Sequence, residues 1–254
     1  HRQSIVPNGE NRQGPGGQRV GKEAGMSLFA IGDLHFGFGV HKSMDIFGGN
    51  WENHAEKIIQ NWNAQITQAD TVLLPGDISW GMRLEEAMLD LDCIDRLPGK
   101  KILLAGNHDY WWKSSAKLEA RYPKMQFLKN DTVPYEFYHI CGTRGWICPN
   151  PHAFTSDDEK IYRREQIRLR LSLDAAMRKQ AKDILVMLHF PPMNEEGESS
   201  GFTELLEAYP VRLVVYGHLH GAQNHQRAFQ GKRNGIEYRL VSSDYLAFSP
   251  KRVL

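Results

Sequence analysis

The sequence predicts a single α/β domain built on a mixed or double β-sheet. Three observations point there. Short apolar runs alternate with amphipathic helical patterns along most of the chain. No internal repeat and no linker-like stretch divides it. Two late segments look like added antiparallel strands.

The elements follow in order. Residues 28–31, 71–74, 101–104, 183–188 and 211–215 are nearly continuous apolar runs, as in strands covered on both faces. Between the first two, Ala55, Ile58, Ile59, Trp62 and Ile66 fall on one helical face. Between the next two, Leu84, Ala87, Met88, Leu91 and Ile94 do the same, and Pro98-Gly99 closes that helix. Residues 157–182 are long and rich in helix formers, so a helix is expected, although residues 167–173 alternate with period 2. Residues 135–148 and 236–241 are expected as the antiparallel strands.

Composition narrows the function classes. The chain has 254 residues, 41% hydrophobic and 24% charged, ordinary for a globular protein. Residues 1–25 are rich in Gly, Gln, Asn and Arg and read as a flexible extension, leaving residues 26–254 as the domain. Without the four basic and two acidic residues of that extension, the remainder lies within one charge of neutral. Such a body has no electrostatic pull toward nucleic acid or an anionic membrane. The apolar runs are too short to span a bilayer, and no leader pattern opens the chain, so the cytoplasm is the expected location. Cys93, Cys141 and Cys148 form no CxxC pair, which argues against both a disulfide framework and a thiolate zinc site.

The chemistry lies where the apolar runs stop. The five runs lead into Gly32-Asp33-Leu34-His35, Gly76-Asp77, Gly106-Asn107-His108-Asp109, His189 and Gly217-His218-Leu219-His220. In α/β sheets, ligands bind beyond the carboxyl ends of strands. Asp33 with His35, and His218 with His220, are i,i+2 pairs that point to one side of an extended segment. Two Asp, one Asn and four His suit divalent Mn, Fe, Zn or Co. Seven ligands exceed the needs of one tetrahedral ion but fit two ions about 3.5–4 Å apart. Two such cations repel and need a bridging anion. Asp77 is the candidate, because its strand is expected between the other ligand groups.

This ordered series resembles the calcineurin-like metallophosphoesterase family, in particular a bacterial subgroup, over nearly all of residues 26–254. Phe36 stands where many members have glycine, and the Gly76-Asp77-Ile78-Ser79-Trp80-Gly81 block lacks a second acidic residue that some carry. The resemblance implies a four-layer αββα sandwich, two mixed sheets face to face with helices outside. It implies two divalent metal ions, Mn, Fe or Zn. Asp33, His35 and His220 would hold one, Asn107, His189 and His218 the other, and Asp77 would bridge them. His108 would protonate the leaving oxygen, with Asp109 orienting it. The implied reaction is hydrolysis of a small-molecule phosphate ester, mono- or diester, by a hydroxide bridging the metals. His41 and Arg144, in Gly-flanked loops, are the candidate substrate contacts. Trp111 and Trp112 read as packing at a helix entry. A nuclease on the same fold would need a basic groove. A non-catalytic scaffold would be expected to have lost ligands, and a protein phosphatase would need an arginine-bearing phosphate pocket. The sequence displays none of these features.

Overall fold

The structure, a computed structural model, describes residues 26–42, 44 and 47–254. The extension expected over residues 1–25 lies outside the described residues.

Two sheets carry the fold. The first runs β11-β1-β2-β3-β4, with β1 (Leu28–Ala30), β2 (Thr71–Pro75), β3 (Lys100–Leu104) and β4 (Met125–Phe127) mutually parallel and β11 (Lys251–Arg252) antiparallel to β1. The second runs β5-β6-β7-β8-β10-β9. There β6 (Tyr138–Thr143), β7 (Asp183–Leu188), β8 (Val211–Tyr216) and β10 (Ile236–Leu240) are parallel, with β5 (Val133–Tyr135) and β9 (Gly231–Arg233) antiparallel at the edges.

The period of two along each strand produces the layers. Leu28, Ala30, Leu73, Ile102 and Leu104 meet Ile140, Leu185, Met187, Leu213 and Val215 between the sheets. The alternate residues Phe29, Val72, Leu74 and Leu103 face an outer layer formed by α1 (His54–Gln65), α2 (Leu84–Arg96) and α3 (Ser115–Arg121). Ile184, Val186, Leu188 and Val214 face α4 (Ser156–Arg178) and α5 (Gly201–Glu207) on the other side. The result is the four-layer αββα sandwich. The short helix α6 (Ala222–Arg227) buries none of its residues. Among the described residues, no helix is long and apolar enough to cross a membrane.

Two sequence expectations are refined. The segments read as antiparallel additions supply β6 and β10, which run parallel to β7 and β8. The antiparallel pairing sits in the hairpins β5–β6 and β9–β10, so each hairpin offers its second strand to the parallel core. The β9–β10 turn is Asn234-Gly235, both at positive φ, the geometry that matches the twist of a tight hairpin. In α4 the helical period overrides the local alternation. Tyr162, Glu165, Leu169, Leu173 and Ala176 are buried, whereas Ile167 is 60% exposed. Thr155 starts the helix, its hydroxyl accepting the Asp158 N–H while the Asp158 carboxylate accepts the Thr155 N–H.

The two positions should therefore respond differently to truncation. Leu173→Ala removes a fully buried side chain and is expected to lower unfolding stability by about 2–5 kcal/mol. Ile167→Ala is expected to change it by less than about 0.5 kcal/mol. Urea unfolding followed by circular dichroism measures both, and equal losses would contradict this packing.

Candidate metal centre

The carboxyl ends of both parallel sheets meet at one place. Gly32 N–H donates to the Val241 carbonyl at 2.7 Å, and Asp33 N–H to the Gly76 carbonyl at 3.0 Å, tying the end of β1 to that of its neighbour β2 and to that of β10 in the other sheet. Gly217 N–H donates to the His189 carbonyl at 3.1 Å. The turns bend sharply, and Asp33, His35, Asp77 and His218 all lie at positive φ, between 44° and 70°. Side chains rarely accept that conformation, and strain of this kind collects at functional sites. Glycine has a separate role here. A Cβ on Gly106 would overlap the Asp77 carboxylate, and one on Gly217 would overlap that of Asp33. Both carboxylates lean on bare backbone.

Two donor groups result. In one, Asp33, His35 and His220 bring ligand atoms within 4.8 Å of one another, with His220 Nε2 3.5 Å from Asp33 Oδ1. In the other, Asp33, Asp77 and His189 do the same. His189 Nδ1 faces the Pro75 carbonyl at 3.0 Å, which directs Nε2 toward Asn107 Oδ1 at 2.8 Å and His218 Nδ1 at 3.3 Å. Asp33 belongs to both groups, and Asp77 Oδ2 of the second also approaches the first, 3.6 Å from His35 Nε2 and 3.4 Å from His189 Nε2. The seven residues picked from strand ends are thus gathered in one cluster.

Electrostatics explains why the cluster suits cations. Asp33, Asp77 and His189 are almost fully buried, and two carboxylates in such a place need compensating positive charge. Burial works against charging His189, yet Asp77 and Asp33 outweigh it and hold the imidazole up at about 9. Burial also opposes an ionised Asp77, but His189 and His35 keep it well below the usual carboxylate range. Burial brings His35 down to about 4 and His218 down to about 3, leaving both rings neutral with a lone pair to offer. His35 Nδ1 is buried without a hydrogen-bond partner among the described residues. Neutral imidazoles, an amide oxygen and two carboxylates form a donor set that fits Mn, Fe or Zn.

Support for the cluster comes from residues the sequence did not single out. Asp244 accepts a hydrogen bond from His220 Nδ1 at 3.0 Å and from the Gly221 N–H at 2.9 Å, and His225 Nε2 lies 3.3 Å away. This fixes the ring so that Nε2 faces Asp33. Burial would lower the His220 pKa, but Asp244 and Asp33 raise it to about 10. Trp80 stacks on His35, with ring centroids 4.7 Å apart, and lies 4.6 Å from the His108 ring. Lys42 Nζ caps the same indole at 3.8 Å.

The remaining expected site residues fall as follows. His108 is half-buried beside the cluster, and its N–H donates to Asp77 Oδ1 at 2.9 Å. Burial lowers its pKa, with Asp77 and Asp33 acting the other way. Asp109 differs from expectation. It accepts hydrogen bonds from the N–H groups of Gly106, Ile78 and Ser79 and from the Trp111 indole, at 2.8–3.2 Å, and the His108 ring is not among these partners. Four donors aimed at one carboxylate fasten the β2 and β3 end loops together, so Asp109 shapes the loop that carries His108. Burial, with the nearby Asp77 charge, pushes its carboxyl up to about 7. His41 is exposed and outside both donor groups, and its neighbour Lys42 lies over the Trp80 indole. The Arg144 guanidinium turns to the buried Glu165 at 3.4 Å, while the Arg144 carbonyl receives the His189 N–H at 3.1 Å. The Arg144 backbone thus supports His189, while its side chain lines a pocket together with Gly106 and Asp109. Trp112 bonds Ser115 at 3.1 Å at the entry to α3, and Trp111 is buried against it.

The family model described as calcineurin-like phosphoesterase matches residues 26–222. No curated protein matches the chain. Among solved structures, the phosphopantetheinyl hydrolase of Mycobacterium tuberculosis is similar at 14% identity and a TM-score of 0.50, over 91% of this chain and 96% of that one. A protein of unknown function from Aquifex aeolicus is similar at 15% identity and a TM-score of 0.44, over 89% and 95%. Purple acid phosphatase from yellow lupin is similar at 16% identity and a TM-score of 0.41, over 77% of this chain and 38% of that one. These likenesses concern the fold.

Removing the support of His220 should weaken one donor group. Asp244→Asn is expected to lower metal affinity by roughly 10–100-fold, as loss of an outer hydrogen-bond partner does elsewhere. Titration of the metal-free protein with Mn²⁺ by calorimetry measures this, and unchanged affinity at every site would contradict the role given to Asp244.

Proposed function

This chain belongs to the calcineurin-like phosphoesterase family, and we propose that it hydrolyses phosphate esters at a centre holding two divalent metal ions. Asp33, His35 and His220 would hold one ion and Asn107, His189 and His218 the other, with the Asp77 carboxylate shared between the two sets. The observation that carries this reading is the position of Asp77 Oδ2, buried within 3.6 Å of a nitrogen from each donor group. When bound, the metals supply positive charge for the phosphate oxygens and lower the pKa of water.

The protein's own groups then have distinct tasks. Asp33 and Asp77 fix the negative charge of the site, and the neutral rings of His35 and His218 add donors without adding charge. Water oxygen attacks phosphorus in line while the opposite P–O ester bond breaks, and the proton that water gives up passes to solvent, from which His108 later regains its own. The departing oxygen carries away an electron pair and needs a proton, which the His108 ring N–H supplies. An anionic phosphate beside His108 counters the burial that lowers its pKa. Asp109 positions rather than protonates, because its hydrogen bonds hold the loop on which His108 sits. Trp80 packs against both the His35 and His108 rings, which also meet edge-on at 5.9 Å. Lys42, above Trp80, offers a cation at the edge of the site.

Turnover of bis-p-nitrophenyl phosphate by Mn²⁺-loaded protein is the direct test, and a fully loaded but inert protein would overturn the proposal. His108→Ala is expected to lower kcat by roughly 10²–10⁴-fold on an alkyl ester, with metal content unchanged. On a p-nitrophenyl ester, whose leaving group needs little protonation, the loss should be smaller. Equal losses on the two esters would remove His108 from the acid role. Asp77→Asn should leave fewer than two metals per chain by elemental analysis, and retention of both would remove the bridge.

A further inference from the structure

A cavity of about 400 Å³ adjoins the metal centre, and we propose that it receives the carbon-rich, apolar group of the substrate. The preferred ester is then that of an alkyl or aryl alcohol rather than of a sugar or nucleoside. The inference rests on the phosphoesterase reading above and names the substrate class of the same site.

Position comes first. His218, one of the proposed metal ligands, lines the cavity, and the Phe190 ring beside it lies 4.0 Å from the His218 ring, centroid to centroid. Cavity and metal centre therefore share a wall, and a phosphate at the metals would extend its ester group inward. The volume falls in the range of about 300–1,000 Å³ typical of small-molecule sites. Ile147, Pro192, Met193, Leu219 and Phe229 supply the other apolar walls.

Several of the bordering polar side chains are already engaged, while those of His152 and Glu196 lie exposed at the rim. Asn150 Oδ1 accepts the His152 and Ala153 N–H groups at 3.0 and 2.9 Å, and its amide donates to the Cys148 carbonyl at 3.3 Å. Asn194 donates to the Pro149 carbonyl at 3.1 Å and to Glu198, and accepts the Glu198 N–H at 3.0 Å. The Asn224 amide donates to the His220 carbonyl at 2.8 Å, and Arg227 pairs with Glu195 at 2.9 Å. A sugar or base entering here would lose water from several polar atoms and find few free partners, a cost that an alkyl or aryl group does not incur. The wholly buried Tyr238 also borders the cavity, and its hydroxyl has no hydrogen-bond partner among the described residues. It gives an otherwise apolar group one place for an isolated oxygen.

Binding of n-alkylphosphonates to the Mn²⁺-loaded protein tests this without turnover, because their P–C bond resists hydrolysis. From methyl to hexyl, Kd by calorimetry should fall roughly two- to fourfold per methylene. 2,3-Dihydroxypropylphosphonate should bind more weakly than propylphosphonate. Ile147→Asp, at a residue 40% exposed, should flatten the chain-length series. A Kd independent of chain length, or tighter binding of the dihydroxypropyl compound, would overturn the proposal. Hydrolysis of n-alkyl phosphates separates the two readings. Turnover with no chain-length dependence defeats the apolar pocket alone. A steep phosphonate series on a protein that turns over no ester supports the pocket and defeats the phosphoesterase reading.

Discussion

Two carboxylates, Asp33 and Asp77, sit side by side in the interior, and the surrounding architecture answers to that charge. Unpaired, either would be very costly to bury. Four imidazoles and an amide gather around them because each can face negative charge with a proton or share it with a cation. The chain accepts left-handed backbone at Asp33, His35, Asp77 and His218 in order to aim these groups inward. Bare backbone at Gly106 and Gly217 is what the carboxylates pack against. A substitution that moves either acid therefore disturbs both strand ends at once.

The two-sheet arrangement makes such a cluster possible. Each parallel sheet ends its strands on one edge, and packing the sheets face to face brings the two edges together. β1, β2 and β3 contribute the carboxylates, His35 and Asn107, while β7 and β8 contribute three histidines. Neither sheet holds a complete set. The sandwich core around Leu73, Leu104, Leu185 and Val215 thus sets the distances in the centre as directly as the ligands do.

Much of this was legible in the sequence, for a physical reason. A strand covered on both faces is a short apolar run, and the first functional residue after its glycine marks the edge where ligands gather. Asp33, Asp77, Asn107 and His218 carry that signature, His35 and His220 follow two positions on, and His189 ends its run without a glycine. What escaped depends on side-chain direction or on pairing between distant segments. Asp244 meets His220 at a sequence separation of 24 and sits in a segment with no regular pattern. Asp109 looked like the partner of its neighbour His108, but backbone N–H groups of another loop claim it. Loop composition drew attention to His41, one position away from the lysine that lies over Trp80. Strand direction at β6 and β10 depends on which arm of a hairpin meets the core, and apolar periodicity is the same either way.

The last segment of the domain closes the site that the first strand opens. β11 pairs with β1, Ser243 Oγ donates to the Asp33 carbonyl at 2.7 Å, the Val241 carbonyl receives the Gly32 N–H, and Asp244 holds His220. During synthesis, the earliest strand therefore waits for residues about two hundred positions behind it. While the ribosome is still making that stretch, the two acids are in the emerging chain without the groups that brace them. Completion of the donor cluster thus becomes a late event in the birth of the protein, coupled to completion of the fold.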